Sequence, residues 1–430
     1  MSVKNIVILY MVSLMKSLKS IVRICLLALI GLSAISLDLN AQNNTSSPYS
    51  YYGLGELMTQ DILNSTGMAS LSYRDGSALN VNNPAALTEL DSLKFIFQIG
   101  MVAKFTNLSQ GDDSDSFNDL NLSKIGFGFK ASPRYGVAVS LSPYTSLGYD
   151  ITSRELVEGG TNYIIRSQVG TGGLNQLVLS NGFKVTDDLS LGFNGIYVFG
   201  NNTRDEFIIP QGGASLTYQN SNKLISQGLH FNVGAQYKID FPKNSIMLGL
   251  KYQPKIGVSA KRVTEVTNLG ILRYEDTDRG RYDVPELYGV SLGFNKGKQF
   301  WMGADYLLEK WSDTKKFEKD NLLVDRNKFS IATIYNANDG YATKFLKKLS
   351  YRFGAFYDTG YIEVRDERIK TKGISFGLGL PLARGNGMIN LSFEFGQMGT
   401  TDNNIVREDF GRISVEVNLF ETWFFKRKYH

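Results

Sequence analysis

The feature that most constrains the fold is an alternation of apolar and polar residues that runs from Leu93 almost to the end of the 430-residue chain. Residues 229–238, 389–395 and 413–419 follow it without an error, as in Ile-Asn-Leu-Ser-Phe-Glu-Phe at 389–395. A period of two residues places successive side chains on opposite faces of a β-strand. Sustained over most of a chain, it is typical of an all-β, transmembrane antiparallel β-barrel with one face in lipid and the other in a polar lumen.

Connection lengths predict the strand count and the orientation. Tight connections alternate with mostly longer ones, and the tight ones lie at 132–134, 186–188, 241–244, 296–299 and 383–387. In such barrels the short turns face the periplasm and the long loops face outward. The pattern predicts about fourteen strands, at roughly 93–106, 122–131, 135–147, 174–185, 189–199, 227–240, 245–258, 286–296, 300–312, 327–336, 349–360, 371–381, 387–398 and 410–420.

Three further β-like stretches leave the count open. They lie at 163–170, 206–218 and 256–273, and we interpret them as extended outer loops. If two of them enter the wall, the count becomes sixteen. One inner connection, 336–348, is longer than the rule allows.

Aromatic and glycine content favours a membrane barrel over a soluble β-sandwich. The chain has 26 Phe, 23 Tyr and 43 Gly, which fits aromatic girdles at the interfaces and small residues facing the lumen. A sandwich would bury one face of each strand and would not need so many outward tyrosines. Aromatic residues followed by cations, as at 423–429, are typical of the interface where lipid meets water on the inner, periplasmic side of such a barrel.

The first 41 residues predict the compartment. Lys16, Lys19 and Arg23 precede an apolar run at 24–37, and Ala41 offers a cleavage point before Gln42. This order is that of a secretory signal peptide. An N-terminal transmembrane anchor is the alternative, but it needs about 20 apolar residues. We expect the chain in the cell outer membrane of a Gram-negative-type cell, with Met1 or Met15 as its start.

Residues 42–91 separate this leader from the predicted barrel at 92–430 and are expected to plug its lumen. The stretch 64–87 is rich in small residues and fits neither a helix nor a membrane strand. Pro84 fixes its own backbone, and Asn83 can hold a turn through its side chain. Residues 42–52 are interpreted as a mobile lead, and residues 53–66 as a short helix.

Parts of this stretch resemble a known family. Gly-Met-Ala, Asp-Gly-Ser-Ala and Asn-Asn-Pro-Ala-Ala-Leu follow one another as in the N-terminal hatch of FadL-type outer-membrane transporters, whose Asn-Pro-Ala triplet matches Asn83, Pro84 and Ala85. Residues 172–176 and 374–381 resemble further segments of that group. The resemblance implies fourteen strands around an N-terminal hatch and transport of hydrophobic compounds.

The third predicted strand contains an interruption. Residues 135–141 alternate cleanly, and then Pro143 removes a backbone donor inside the strand. In the FadL-type family an inward kink of the third strand makes a lateral window, so the resemblance implies such a window at Pro143 and Gly148. Asn83 is then expected to anchor the plug to unpaired backbone there. Alternatively, Pro143 marks the outer end of the strand.

The leading functional hypothesis is passive uptake of hydrophobic, long-chain fatty-acid-like molecules, which leave the lumen laterally into the membrane lipid. An apolar solute gains about 25 cal/mol for each Å² removed from water, so no energy source is needed. The candidate path consists of Ile96, Val102, Ile196, Trp301, Leu307 and Phe356. Packing against the plug is the alternative role of these residues.

Charges on the predicted lumen face support an alternative. The predicted lumen face carries more charged residues than an apolar channel needs. They include Asp305, Glu309, Arg352, Glu394 and Glu416. The alternative is a non-transporting FadL-like barrel that serves as a subunit of an outer-membrane secretion or protein-assembly complex, as the shuttle barrel of the type IX secretion system does. Its partners would be outer-membrane proteins, and the charges would lock the plug.

Catalysis, cofactor binding and nucleic-acid binding have little support. The chain has two histidines, and His230 shares the predicted lumen face with polar residues, whereas a lipid-hydrolysing Ser–His site needs the lipid face. The only cysteine, Cys25, lies in the leader. Asp112, Asp113 and Asp115 offer weak Ca²⁺ ligands, but a solvated loop is the preferred interpretation. The net charge of +5 gives no reason to expect nucleic acid.

Overall fold

Antiparallel strands account for most of the chain. The computed structural model describes residues 47–58, 69–156, 162–210, 218–314, 323–337, 345–382 and 386–422. Within these residues fourteen strands form the wall: β1 (Lys94–Gln110), β2 (Asp113–Ser132), β3 (Tyr135–Leu156), β4 (Tyr163–Lys184), β5 (Leu189–Pro210), β6 (Tyr218–Asp240), β7 (Asn244–Gln253 and Ile256–Asn268), β8 (Ile271–Val284 and Glu286–Lys296), β9 (Phe300–Lys310), β10 (Arg326–Asn336), β11 (Ser350–Asp358), β12 (Thr371–Pro381), β13 (Gly387–Met398) and β14 (Arg407–Thr422).

The wall closes between the last strand and the first. β14 pairs with β1 from Arg407↔Ser109 to Thr422↔Lys94. Proline interrupts β7 at Pro254 and β8 at Pro285, because it has no N–H to donate. The pairing keeps one register across both interruptions, from Gln253↔Leu287 to Val284↔Ile256. The barrel therefore has fourteen strands, as predicted.

The alternation divides lipid-facing from lumen-facing residues, as β5 illustrates. Leu191, Phe193 and Tyr197 are exposed on its outer face. Asn194 and Ile196 lie between them on the inner face and are buried. The prediction of an apolar outside and a largely polar inside is confirmed.

The interpretation of 163–170, 206–218 and 256–273 as outer loops is wrong. Residues 163–170 begin β4, residues 206–210 end β5, and residues 256–273 form most of the hairpin between β7 and β8, while 211–217 lie outside the described residues. A bilayer needs only about 9–11 residues of a tilted strand. The strands β3 to β8 are about twice as long, so they project beyond the membrane at the long-loop end.

Two N-terminal pieces lie against the inner face of the wall. The first, residues 47–58, is called the strap here and contains a 3₁₀ helix, Pro48–Tyr51, and a two-residue strand, Glu56–Leu57. The expectation of a mobile lead is therefore wrong for residues 47–52. The second, residues 69–91, is called the inner segment and contains a 3₁₀ helix, Pro84–Glu89.

The inner segment contributes to the apolar core. Leu79, Leu87 and Leu90 cluster with Ile96 of β1 and Ala138 of β3. Minor elements complete the described chain: 3₁₀ helices Phe345–Lys348 and Asp402–Asn404, and a short hairpin of Glu363–Val364 with Glu367–Arg368. No helix in these parts of the chain is long and apolar enough to cross a membrane.

Several sequence-based expectations fall outside the described residues. They concern the leader at 1–41, most of the helix expected at 53–66, the middle of the connection 336–348, and the aromatic and basic residues at 423–429.

Candidate functional site

Asn83 holds the inner segment to the wall through its side-chain amide. Its Nδ2 donates to the carbonyl oxygens of Leu71, Ala235 and Leu250 at 2.7, 3.2 and 3.3 Å. Its Oδ1 accepts from the backbone N–H of Ala85 at 3.3 Å and so caps the helix Pro84–Glu89. Asn83 and Ala85 are fully buried. The expectation that Asn83 anchors backbone of the third strand is wrong, because its wall partners lie on β6 and β7.

Glycines in the wall allow the inner segment to approach closely. A Cβ added at Gly192 would collide with the backbone of Pro84 and Ala85, and one at Gly234 with the Asn83 side chain. A Cβ at Gly136 would collide with the carbonyl of Leu87. These positions accept only glycine while the segment keeps its place.

Polar side chains from three strands bind the backbone of the inner segment. Asp305 of β9 accepts from the N–H groups of Ser70 and Leu71 at 2.7 and 3.0 Å. Gln236 of β6 donates to the Leu71 carbonyl at 2.7 Å, and Asn194 of β5 donates to the Val81 carbonyl at 2.8 Å. These bonds satisfy backbone groups of the inner segment that are buried away from water.

The third strand leaves the wall half-way along its length. Its ladder with β2 runs from Tyr135↔Ser132 to Leu141↔Ile125 and ends there. Among the described residues, the outer part of β2 then pairs only with β1, and the outer part of β3 with β4 and the strap. We call the opening between residues 113–124 and 142–156 the wall gap. Gly148 lies beside it.

Pro143 marks where β3 bends. A bulge at Tyr144 interrupts the ladder with β4, between Pro143↔Asn175 and Thr145↔Leu174. Pro143 thus lies inside the strand, which continues to Leu156. Beyond the bulge the alternation of burial stops, and every residue from Thr145 to Tyr149 is buried. Burial on both faces means that this part of β3 lies inside the barrel rather than in its lipid-facing surface.

The strap binds the edge of β3 that the bend exposes. Glu56 and Leu57 pair with Ser146 and Thr145, and the Met58 N–H donates to the Tyr144 carbonyl at 3.0 Å. The Ser47 N–H donates to the Gly148 carbonyl at 3.0 Å. The chain therefore satisfies this internal sheet edge with its own N-terminal residues.

An ion-pair cluster fixes the strap to both ends of the wall. Glu56 lies 2.8 Å from Lys104 of β1 and 2.8 Å from Arg412 of β14, which also pairs with Glu394 at 2.8 Å. Burial alone would raise the pKa of Glu56, but Lys104 and Arg412 together hold that pKa below its ordinary value. Glu56 is therefore ionised, and the three strands β1, β13 and β14 converge on it.

The other predicted lumen charges are paired as well. Glu416 lies 2.8 Å from Lys124, and Glu309 lies 3.0 Å from Arg326, which also binds Asp358 at 2.5 Å. Arg352 is fully buried and donates to the Asn390 side chain at 2.7 Å. These charged side chains bind polar or charged partners on the wall, and Asp305 binds the inner segment.

Three small cavities lie among the described residues of the lumen. A central cavity of about 160 Å³ lies beside Tyr144, His230 and Lys251. A cavity of about 100 Å³ lies between the strap and β11, and one of about 80 Å³ lies at the wall gap beside Pro143. Sites for drug-sized ligands usually measure about 300–1,000 Å³.

The six residues of the predicted path separate into two groups. Ile196 and Leu307 line the central cavity, Val102 lines the cavity at the wall gap, and Phe356 lines the cavity beside the strap. Ile96 and Trp301 instead pack against the inner segment, Trp301 with its ring 4.9 Å from that of Tyr73. The three cavities are neighbours, because Leu57 of the strap lines each of them.

His230 faces the lumen, as its place in the alternating pattern predicts. It is buried beside Tyr144, whose ring centre lies 6.3 Å away, and neither ring nitrogen has a partner among the described residues. The described residues contain no group of three or more side chains able to hold a metal ion. Asp112, Asp113 and Asp115 lie at the exposed turn between β1 and β2.

Comparison with known proteins identifies the family. The model of one protein family, BamG, matches residues 21–430. The chain belongs to the BamG family. The search of curated proteins found no match.

Solved structures share its fold. A FadL homologue from Pseudomonas aeruginosa superposes with a TM-score of 0.60 at 14% identity, covering 86% of this chain and 100% of the homologue. The toluene transporter TodX of Pseudomonas putida superposes at 0.58 with 15% identity, over 86% and 100% of the two chains. The toluene transporter TbuX of Ralstonia pickettii superposes at 0.53 with 14% identity, over 85% and 99%. The chain therefore has the FadL-type fold of outer-membrane barrels.

Sequence reasoning missed the strap. Residues 47–58 show no period, and their partners lie on β1, β3 and β14, far away in the sequence, so no local pattern predicts their pairing. The one available signal is Glu56, an acidic residue in an otherwise small and apolar stretch, matched by Lys104 and Arg412 at inward positions of predicted strands.

Proposed function

We propose that this chain is a closed, non-transporting barrel that serves as a subunit of an outer-membrane protein-assembly or secretion complex. The observation that carries the proposal is the fixed interior. Asp305, Asn194 and Gln236 hold the inner segment by its backbone, and Glu56, Lys104 and Arg412 hold the strap. A lumen built for passage would leave its polar groups to water or to the solute.

The cost of opening supports this choice. A path through the barrel requires the inner segment to move, and each buried hydrogen-bonding group left without a partner costs about 1–3 kcal/mol. Removing one partner of a buried ion pair costs about 3–5 kcal/mol. A small apolar solute would make few contacts in cavities of about 100 to 160 Å³. These contacts would offset little of the free energy needed to break the hydrogen bonds and ion pairs.

The proposal includes a division of the chain. We propose a signal peptide at 1–41, a hatch at 42–91 that contains the strap and the inner segment, and the barrel at 92–430. Lipid surrounds the apolar outer face, and other outer-membrane proteins are the partners. No chemical reaction is assigned to the chain.

The test is purification from the native outer membrane in mild detergent, using the full chain with an affinity tag in an outer loop. We expect other outer-membrane proteins in fixed, near-stoichiometric amounts that survive size-exclusion chromatography. Recovery of the chain alone, together with uptake of a hydrophobic probe by vesicles that contain only this protein, would contradict the proposal.

Hydrophobic uptake is the second candidate, and the wall gap favours it. The bend of β3 at Pro143 opens the wall toward lipid beside a cavity that contains Val102. Under this candidate, a solute of the fatty-acid class leaves the lumen sideways through the gap.

A substitution at the bend tests the second candidate. Replacing Pro143 by Val and Gly148 by Ala restores a backbone donor and stiffens β3, so uptake of a fluorescent fatty acid by whole cells should fall while barrel assembly persists. Uptake equal to that of cells lacking the protein, in both the wild type and the variant, excludes this candidate.

A further inference from the structure

The hairpin formed by the outer parts of β7 and β8 stands clear of the rest of the barrel. We call residues 256–284 the outer hairpin. Its two strands pair from Ile256↔Val284 to Asn268↔Ile271. Every residue from Ile271 to Arg279 is exposed, on both faces of the strand. Among the described residues, nothing covers this part of β8.

The base of the outer hairpin lies at the membrane boundary. Tyr252 and Tyr288 have ring centres 5.3 Å apart, and both donate to Glu286, which also pairs with Lys310 at 3.3 Å. Amphipathic aromatic rings with charged partners mark a membrane–water interface. From Tyr252, β7 continues to Asn268 over about 50 Å of extended chain. The tip of the hairpin is therefore far outside the lipid.

The tip nevertheless carries a cluster of exposed apolar side chains. Leu269, Ile271, Leu272 and Tyr274 are each 52–55% exposed. Leu269 has a positive φ of 54°, in the region that favours glycine or asparagine in a hairpin turn. A strained leucine at this place does not serve the turn itself. Clustered apolar residues in water usually mark an interaction surface.

The outer face of the hairpin also carries like charges placed opposite each other. Lys261 pairs with Arg279, and Glu265 pairs with Glu275. Like charges directly opposite in an antiparallel ladder are destabilising. None of these four has an ion-pair partner among the described residues, whereas Arg262 and Asp278 on the other face lie 3.4 Å apart.

We propose that the outer face of this hairpin binds a protein partner outside the membrane. The partner presents a carboxylate to Lys261 and Arg279, a cation to Glu265 and Glu275, and an apolar surface to the tip. This rests on the proposed function and names the surface through which the subunit is held.

The order of the charges excludes a lipid as the occupant. A lipid would place its phosphates on the cations and its acyl chains toward the membrane. Here the apolar cluster lies on the side of Lys261 and Arg279 that faces away from the membrane, where acyl chains do not extend. An amphipathic protein surface matches the whole sequence of basic, acidic and apolar groups.

Site-specific crosslinking in intact cells tests the proposal. A photoreactive residue replaces Thr277, which is exposed between Glu275 and Arg279 on the outer face of the hairpin. A second variant carries it at Leu156, which is 77% exposed at the outer end of β3. We expect Thr277, and not Leu156, to crosslink to a protein that also copurifies with the wild-type chain. Lys261→Glu combined with Arg279→Glu should reduce this adduct about tenfold, because like-charge contacts across an interface weaken it by more than about 1.4 kcal/mol.

The matched control reverses two charges at the opposite end of the barrel. Lys243→Glu combined with Lys298→Glu should leave the adduct unchanged, and heat-modifiable gel migration verifies that all variants fold. An adduct insensitive to the charge reversal at Lys261 and Arg279, an adduct with lipid or with a second copy of the chain, or no adduct at Thr277 overturns the proposal.

The two proposals fail in different ways. If the wild-type chain copurifies with partners and the charge-reversed hairpin variant does so equally, the hairpin is not the docking surface and the subunit function stands. If the wild-type chain has no partner at all, the proposed function itself is wrong.

Discussion

At the scale of single residues, buried polar groups in this barrel act as anchors for the chain's own backbone. Asp305 accepts two N–H groups of the inner segment, and Asn83 donates to three carbonyls. Both are polar side chains in the interior of the barrel, where a path for apolar solutes would be lined by apolar side chains.

Replacing Asp305 by Leu is expected to destabilise the folded barrel. The N–H groups of Ser70 and Leu71 would lose their acceptor, at about 1–3 kcal/mol for each buried group. The temperature at which the barrel loses its fast gel migration should fall. Asp305→Asn keeps one oxygen and should fall less, and equal losses in both variants would contradict the anchoring role.

Gly192→Val is expected to displace the inner segment, because a Cβ there collides with Pro84 and Ala85. The one cysteine of the chain, Cys25, lies in the proposed signal peptide, so a cysteine placed at Ala86 reports displacement by labelling with a maleimide. Labelling should rise in Gly192→Val and stay low in Gly195→Ala, where a Cβ meets only Phe193 at 3.7 Å. Low labelling in both would contradict the close contact of Gly192 with the segment, and high labelling in the chain with both glycines intact would contradict a fixed segment.

At the scale of elements, the strap and β3 form one unit. β3 bends inward at Pro143, and the strap completes the edge that the bend exposes. Glu56 joins this unit to β1 and β14 through Lys104 and Arg412.

Glu56→Gln is expected to loosen the strap and to change the pH dependence of stability. The folded pKa of Glu56 lies below its unfolded value, so its contribution is present above about pH 4.3 and is lost as the pH falls through the folded pKa. The wild type should lose stability below about pH 4.3 more steeply than Glu56→Gln. The measurement is the fraction of folded barrel at each pH, read from heat-modifiable gel migration. The same loss of folded barrel with falling pH in both proteins would contradict this expectation.

The elements of the wall could be predicted from the sequence better than their lengths. Alternation identified all fourteen strands, because each has one lipid face that must be apolar. It failed for residues 163–170 and 256–273, since above the membrane both faces of a strand meet water and the apolar signal disappears.

The candidate site was less predictable. Asn83 and Pro84 indicated a compact segment. Its close contact with the wall depends on glycines such as Gly192 and Gly234, which the sequence alone shows only as small residues. Whether charges such as Glu309 and Glu416 line a path or pair with cations depends on neighbours across strands, which a single sequence does not specify.

At the scale of the whole molecule, the strands on one side of the barrel are longer than those on the other side. β3 to β8 project beyond the membrane at the long-loop end, while β9 to β13 are short. A protein partner would meet a raised sheet on one side of the barrel only, which gives the complex a defined orientation in the membrane plane.

Deletion of residues 42–91 is expected to turn the closed barrel into an open pore. Fourteen strands enclose a lumen that the strap and the inner segment fill, so planar bilayers should show stable conductance with the deletion variant and almost none with the full chain. A large steady conductance of the full chain would contradict a fixed interior.

The strap has a consequence for biogenesis. It precedes every strand of the wall, yet its partners lie on β1, β3 and β14, so it has no complete seat until the last strand has closed on the first. A barrel stalled before closure would display the bare edge of β3 and a loose N-terminal end. Seating of the strap therefore distinguishes a finished barrel from an unfinished one.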